Sequence, residues 1–240
     1  MNKENEKQYR PLQKMFMEVP GRYDLLNRTL TWRMDERWRR AAVKEILSDD
    51  PSAVLDLCTG TGDLLLRLTD KTNGSVSLKG LDFSQPMLDI AHRKAARKKA
   101  QNIEWIHGDA ADMPFPDDHF DAIGIAFAFR NLTYKNPDRD KFLKEIHRVT
   151  KPGGKFVIIE TSRPRSALVQ KGVNLYMNLA VKGLGGAMSG HKSAYRYLAH
   201  SAKNYYTPDE VSGLLKNAGF SSVSYRLFVG GVAALHVAVK

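Results

Sequence analysis

Val54-Leu55-Asp56-Leu57-Cys58-Thr59-Gly60-Thr61-Gly62-Asp63 passes from an apolar strand through a glycine turn into a helix, and this transition decides the fold class. Gly60 and Gly62 allow backbone conformations that a Cβ obstructs and let the chain approach a ligand closely. Leu65 stands where the dinucleotide fingerprint G-x-G-x-x-G has its third glycine, so the turn is of another kind. Asp56, four residues before Gly60, suits a ligand with a cationic amino-acid end better than a pyrophosphate.

Outward from this turn the sequence alternates strands and helices. Residues 53–57, 75–82, 103–107, 120–127 and 155–160 read as short buried strands, and 63–70, 84–99 and 139–149 as helices, with Ser84 as a candidate N-cap. This alternation predicts a doubly wound, mostly parallel sheet covered by helices. After a long basic stretch, Thr207-Pro208 opens a helix that ends near Gly219. Residues 222–228 and 232–239 read as strands joined through Gly230-Gly231, so the sheet ends in an antiparallel hairpin.

Two further carboxylates follow the glycine turn. Asp82 ends the second strand about 20 residues on, the spacing at which an acid holds ribose hydroxyls in such sheets. Asp109, in His107-Gly108-Asp109-Ala110, ends the third and is placed to hydrogen-bond an adenine amino group. Three acids in order at the carboxyl ends of successive strands read as one ligand constellation rather than three loop residues.

The chain has 240 residues, 42% of them hydrophobic, which fits one domain with a substantial core: a helical arm over 1–48, carrying Trp32 and Trp38, and a basic insertion over 161–208. The only cysteine is Cys58, and the first residues are charged, so a cytoplasmic location is expected. The net charge is +11, and residues 161–208 contain seven Lys and Arg and no Asp or Glu. Such a segment suits an anionic lipid surface or a nucleic acid. No apolar stretch is long and uninterrupted enough to span a bilayer, so membrane contact would be peripheral.

At this point the sequence resembles the ubiquinone/menaquinone biosynthesis C-methyltransferases over nearly its whole length. The resemblance is carried by Tyr23-Asp24-Leu25-Leu26-Asn27 with Trp38 downstream, Phe129-Arg130-Asn131-Leu132, Arg148-Val149-Thr150-Lys151-Pro152-Gly153-Gly154, Glu160-Thr161-Ser162, Tyr195-Arg196-Tyr197-Leu198 and Ala234-Leu235-His236. It implies a class I S-adenosylmethionine-dependent methyltransferase fold in which Thr61, Asp82, Asp109 and Ala110 contact S-adenosylmethionine, alongside Asp56, Gly60 and Gly62 of the turn. The chain departs from the family pattern at Ala126, where a serine is common, at Asp35, which replaces a histidine, at Thr150, which replaces an aliphatic residue, and at Cys58, where many methyltransferases carry glycine.

The implied reaction is methyl transfer to a ring carbon of demethylmenaquinol, a polyprenylated quinol, with a benzoquinol as the alternative acceptor. Deprotonating the neighbouring hydroxyl places charge on that carbon, so the site needs a base or a cation, and no metal. Arg130 is the expected phenolate partner with Asn131 orienting; the other reading makes Arg130 an ion pair that ties down a loop. His191, Tyr195, Tyr197 and His236 are candidates for binding the quinol or accepting its proton, and each equally suits packing. Residues 161–208 would cover the acceptor, with Val173, Leu175, Tyr176, Leu179 and Val181 as apolar surface and the basic residues among lipid head groups. A homo-oligomer is compatible with this reading. A nucleic-acid methyltransferase is disfavoured because Ala128-Phe129-Arg130-Asn131 stands where adenine-amino enzymes carry Asn/Asp-Pro-Pro-aromatic, and because Cys58 lies in the cofactor turn rather than where a cytosine nucleophile is needed. A scaffold that binds the cofactor without catalysis is the remaining alternative.

Overall fold

The computed structural model describes residues 34–72, 74–100, 102–185 and 205–240, and its side chains are described within residues 177–185 not at all. The signature at 23–27, Trp32, and His191, Tyr195 and Tyr197 lie outside the described residues. The elements are α1 (Met34–Ile46), β1 (Ala53–Leu57), α2 (Asp63–Thr72), β2 (Ser77–Asp82), α3 (Gln85–Lys98), β3 (Ile103–His107), β4 (Phe120–Ala126), α4 (Phe129–Thr133), α5 (Arg139–Val149), β5 (Thr150–Thr161), α6 (Ala167–Gly185), α7 (Pro208–Asn217), β6 (Ser222–Phe228) and β7 (Ala233–Val239).

The seven strands form one sheet in the order β3-β2-β1-β4-β5-β7-β6. Pairings among β1 to β5 are parallel, and β7 runs antiparallel to both β5 and β6. Strand order reverses between β1 and β4, and the crevice at the carboxyl ends beside such a reversal is where ligands bind in open α/β sheets. Alternation along the strands distributes the core. Leu55, Leu57, Ile123, Ile125, Phe156 and Ile158 pack with Leu143 and Ile146 of α5 and Val211 and Leu215 of α7. Val54, Leu78, Ala122, Val157 and Ile159 face the other way, against Trp38, Ala42, Val43 and Ile46 of α1 and Leu64, Leu65 and Leu68 of α2. Both faces are covered, which is why these strands read as near-continuous apolar runs.

Several boundaries differ from the sequence reading for local reasons. β2 starts at Ser77 because the Ser75 N–H is turned back onto the Thr72 carbonyl at 2.9 Å. β4 ends at Ala126, since Phe127 adopts φ +59°, and the next residues coil into the short α4, so Arg130 sits on a helix. β5 begins at Thr150, which pairs with Phe120, five residues before the predicted start. Ser84 holds the N-cap position of α3 but its side chain makes no cap bond; its N–H instead donates to Asp82. Thr207 does cap α7, in a reciprocal box with Glu210 and with Pro208 in the first turn. The β6 to β7 connection is a single 3-10 turn over Val229–Gly231 rather than a two-residue hairpin. No helix among the described residues is long and apolar enough to cross a membrane.

Candidate functional site

Three strand ends are laced together at one residue, Asp82. Asp82 Oδ2 accepts from the Gly60 N–H at 2.8 Å and Oδ1 from the Ser84 N–H at 2.9 Å, while its carbonyl accepts from the Gly108 N–H at 3.0 Å. The buried side chain thus ties the β1 turn to the end of β2 and the start of α3, the backbone carbonyl reaches the end of β3, and two bonds leave the carboxylate further lone pairs for a ligand. Asp56 is buried one strand over and accepts from the Thr59 hydroxyl at 2.6 Å. Burial, reinforced by the Asp82 charge and opposed by the Thr59 bond, pushes the Asp56 carboxyl up to about 7. Burial raises Asp82 as well, against the backbone donors that lower it.

The two turn glycines do different work. At Gly60, with φ +55°, an added Cβ would meet nothing within 4 Å, so the position opens onto space beside Asp82. At Gly62, with φ +82°, a Cβ would lie 2.7 Å from the Trp105 ring and 3.2 Å from Ala91. Gly62 therefore serves packing of α2 and α3 on β3 rather than the open cradle. Gly62→Ala is expected to destabilise the fold by about 2 to 3 kcal/mol, from overpacking added to a left-handed backbone. Thermal unfolding should register this as a fall of several degrees, whereas Gly60→Ala should cost less stability and show instead in ligand affinity.

The remaining cofactor candidates are placed as follows. Thr61 is buried and its hydroxyl accepts from Lys94 Nζ at 2.6 Å, a lysine that also pairs with Asp63 at 2.8 Å. Asp109 caps its own loop by accepting from the Ala111 N–H at 2.9 Å, and Ala110 is buried in the core. Phe83, next to Asp82, is exposed, and its carbonyl lies 2.9 Å from His107 Nε2. Cys58 takes φ +53°, which accounts for the preference of other methyltransferases for glycine there. Burial and three neighbouring carboxylates push its thiol well above the ordinary value, leaving it a protonated packing group. Asp35 is buried in an ion pair with Arg39, whose guanidinium stacks 4.9 Å from the Phe127 ring centroid.

At the carboxyl ends of β4 and β5 the structure builds a second cluster. Arg130 is buried on α4, its Nη1 3.9 Å from Glu160 Oε1 and 3.0 Å from the Thr161 hydroxyl, to which it donates. Glu160 also accepts from the Arg130 N–H at 3.2 Å and from the Thr161 N–H and hydroxyl at 2.9 Å. Three buried polar atoms here have no partner among the described residues: the Tyr205 hydroxyl and, on adjacent residues of α4, a donor, Arg130 Nε, and an acceptor, Asn131 Oδ1. Buried polar groups are nearly always satisfied, so this donor and this acceptor mark a place where a polar ligand fits. Tyr205, fully buried against Tyr134 and Tyr206, lies near Glu160 and Arg130, and burial pushes its phenol well above the usual tyrosine value.

Some expectations change. Arg130 is partnered by an internal carboxylate, as the loop-tying reading requires, and only its Nε is left over. His236, on β7, is sealed beneath the start of α7, its Nε2 3.0 Å from the Pro208 carbonyl, with β5 between it and β4. Burial holds its pKa below the ordinary histidine value, which favours the neutral ring, and its Nδ1 is buried without a partner among the described residues. Two of the seven basic residues assigned to lipid head groups are instead ion-paired on the fold, Arg163 with Glu210 and Arg165 with Asp209. Glu160 was missed as a site residue although it carries the signal that exposed the other acids, a carboxylate closing a wholly apolar strand. Tyr205 gave no such signal, and its place follows from chain folding around α7.

A methyl donor with a ribose, an amino-acid end and a purine fits the first cluster: an open cradle at Gly60, a buried Asp82 with spare acceptor capacity, and Asp56 able to face a cation. Comparison with known proteins agrees. The model of the ubiE/COQ5 methyltransferase family matches residues 1–240. The demethylmenaquinone methyltransferase of Thermus thermophilus is 43% identical over 93% of this chain and 98% of its own. The ubiquinone/menaquinone biosynthesis C-methyltransferase UbiE of Geotalea daltonii is 38% identical over 95% of this chain and 96% of its own. Among solved structures, a SAM dependent methyltransferase from Aquifex aeolicus shares the fold at a TM-score of 0.54 and 22% identity, covering 78% of this chain and 81% of that one. An S-adenosylmethionine-dependent methyltransferase by fold and relatives, the chain belongs to the ubiE/COQ5 methyltransferase family.

Proposed function

We propose that the enzyme methylates a ring carbon of demethylmenaquinol, a reduced naphthoquinone with a polyprenyl tail, to give menaquinol. The relatives' names favour this acceptor, and one observation carries the chemistry: beside the cofactor turn, a buried arginine neutralised by Glu160 keeps one unpartnered donor, Nε, and its neighbour Asn131 one unpartnered acceptor, Oδ1. S-adenosylmethionine, when bound, supplies an electrophilic methyl group on a sulfonium. Arg130 Nε donates to the oxygen of the quinol that loses its proton, which favours the phenolate and raises electron density on the adjacent carbon. Asn131 Oδ1 accepts from the second hydroxyl and fixes the ring, so that the carbon faces the methyl. Tyr205 stays protonated and closes the pocket to water. On the cofactor side, Asp82 holds the ribose hydroxyls, Asp56 faces the amino group, and Asp109 with the Ala110 backbone holds the adenine. A polyprenyl acceptor resides in the membrane, and the enzyme meets it there from the cytoplasmic side.

Incubating the purified protein with methyl-labelled S-adenosylmethionine and demethylmenaquinol kept reduced should give labelled menaquinol, read by mass spectrometry. Absence of labelled product, with a reduced polyprenyl benzoquinol labelled instead, would replace the acceptor.

Asp56 makes cofactor binding depend on pH. Its folded pKa of about 7 lies above the ordinary 3.8, so between these values the cofactor-free fold holds a proton that the unfolded chain has released. This contribution to stability is full below about pH 4, declines as pH rises and is gone above about pH 7. The cationic amino group of the cofactor favours the carboxylate, so binding expels the proton. Cofactor affinity should rise with pH by up to about tenfold per unit until about pH 7 and then level off. Titration calorimetry near pH 6, in buffers of different ionisation enthalpy, should show close to one proton released, and Asp56→Asn should release none.

A further inference from the structure

Five large apolar side chains are exposed among the described residues, and four of them lie on one edge of the molecule. Leu168 and Leu175 on α6 are 80% and 62% exposed, and Leu227 and Val229 at the end of β6 are 42% and 53% exposed. Leu168, Lys171 and Leu175 are spaced three and four residues apart and share one exposed stripe of the helix. The β6 to β7 turn lies against the start of that helix, since a Cβ built on Gly230 would come 3.5 Å from Val169 Cγ2. The four apolar groups therefore belong to one surface. Val229 adopts φ +49°, which a β-branched residue rarely does, and still presents its side chain to solvent. A strained and exposed valine is costly to the isolated fold, and such strain tends to persist where the surface has a use.

The charge of this part of the chain points to the partner. After Glu160 the remaining residues include ten Lys and Arg and only two carboxylates, Asp209 and Glu210. Both are occupied. Asp209 pairs with Arg165 and accepts from the Tyr225 hydroxyl at 2.7 Å, and Glu210 pairs with Arg163 at 3.1 Å. Lys171 stands exposed between the two leucines of the stripe. The surface also adjoins the acceptor side of the site, because β5 leads from Glu160 and Thr161, the partners of Arg130, directly towards α6.

We infer that this edge docks on an anionic phospholipid bilayer, with Leu168, Leu175, Leu227 and Val229 entering the acyl boundary and Lys171 meeting lipid phosphates. The purpose of such docking rests on the proposed polyprenyl acceptor, but its test does not. The full-length protein, without donor or acceptor, is sedimented with vesicles of phosphatidylglycerol and phosphatidylcholine in equal parts, and with phosphatidylcholine alone. Binding should be strong to the mixture, weaker to the neutral vesicles, and reduced by salt.

Leu168→Gln with Val229→Asn, the second residue chosen because asparagine tolerates a left-handed backbone, should lower partition into the mixed vesicles about tenfold while leaving turnover of a tail-less acceptor unchanged. Lys171→Glu should lose a similar factor on anionic vesicles and little on neutral ones. Wild-type protein that stays in the supernatant, or variants that sediment like wild type, would overturn the inference. So would a dimer of the wild type that the Leu168→Gln, Val229→Asn pair dissolves, since the edge would then be covered by a second copy. Protein that docks as described but leaves reduced naphthoquinol unlabelled would sink the acceptor and leave the docking surface standing.

Discussion

Asp82→Ala is expected to weaken S-adenosylmethionine binding by at least about a hundredfold. Hydrogen bonds to a charged group contribute about 1.5 to 3 kcal/mol each, so two ribose hydroxyls lost together account for two to four powers of ten in Kd. The same carboxylate holds the Gly60 and Ser84 N–H groups, so its removal also frees the glycine turn and the start of α3. The cofactor-free variant should therefore unfold at a lower temperature than wild type. Asp82→Asn separates these effects. Its amide oxygen can still accept one of the two backbone bonds, but its NH2 group confronts the other donor and no longer serves as a charged acceptor. An intermediate loss of affinity with a smaller loss of stability is the expected result. Asp89→Ala, at an exposed acid on α3, provides the control and should stay within about twofold of wild type. If calorimetry shows Asp82→Ala binding within about threefold of wild type, the ribose assignment fails.

The parts of this site legible in the sequence are those whose signal is local. Asp56, Asp82 and Asp109 each stand within two residues of a strand's carboxyl end, and in a parallel sheet all such positions come to one edge. The same rule applied to β5 marks Glu160, which the sequence presents only as part of the Glu160-Thr161-Ser162 signature. What could not be read depends on residues far apart in the chain. Gly62 looked like part of the ligand cradle because Trp105, which fills the space beside it, lies on β3. Thr61 gave no hint of Lys94, nor Arg163 and Arg165 of the two acids that open α7, so the basic segment appeared freer than it is. His236 illustrates the limit of residue chemistry without place: the titratable ring was visible, the helix that seals it was not.

Arg130→Met should separate catalysis from structural support at the acceptor side. The guanidinium and the Glu160 carboxylate are both buried, so removing either partner leaves a charge without compensation at a cost of about 3 to 5 kcal/mol. In a chain of this size that corresponds to a fall in unfolding temperature of roughly 6 to 20 °C. Combining Arg130→Met with Glu160→Gln removes both charges and should recover much of the loss, which a double-mutant cycle on thermal stability will read as strong coupling. Activity should not recover in the same way. If Nε stabilises the phenolate, every variant lacking Arg130 is expected to lose about a hundredfold to a thousandfold in kcat, the size found for removing one donor to a developing anion, while cofactor Kd stays near wild type. Glu160→Gln alone keeps the donor and should show the stability loss with a much smaller change in kcat. A double variant that regains both stability and turnover would reduce Arg130 to a loop clamp, and the phenolate of the quinol would then need another donor at the end of β4.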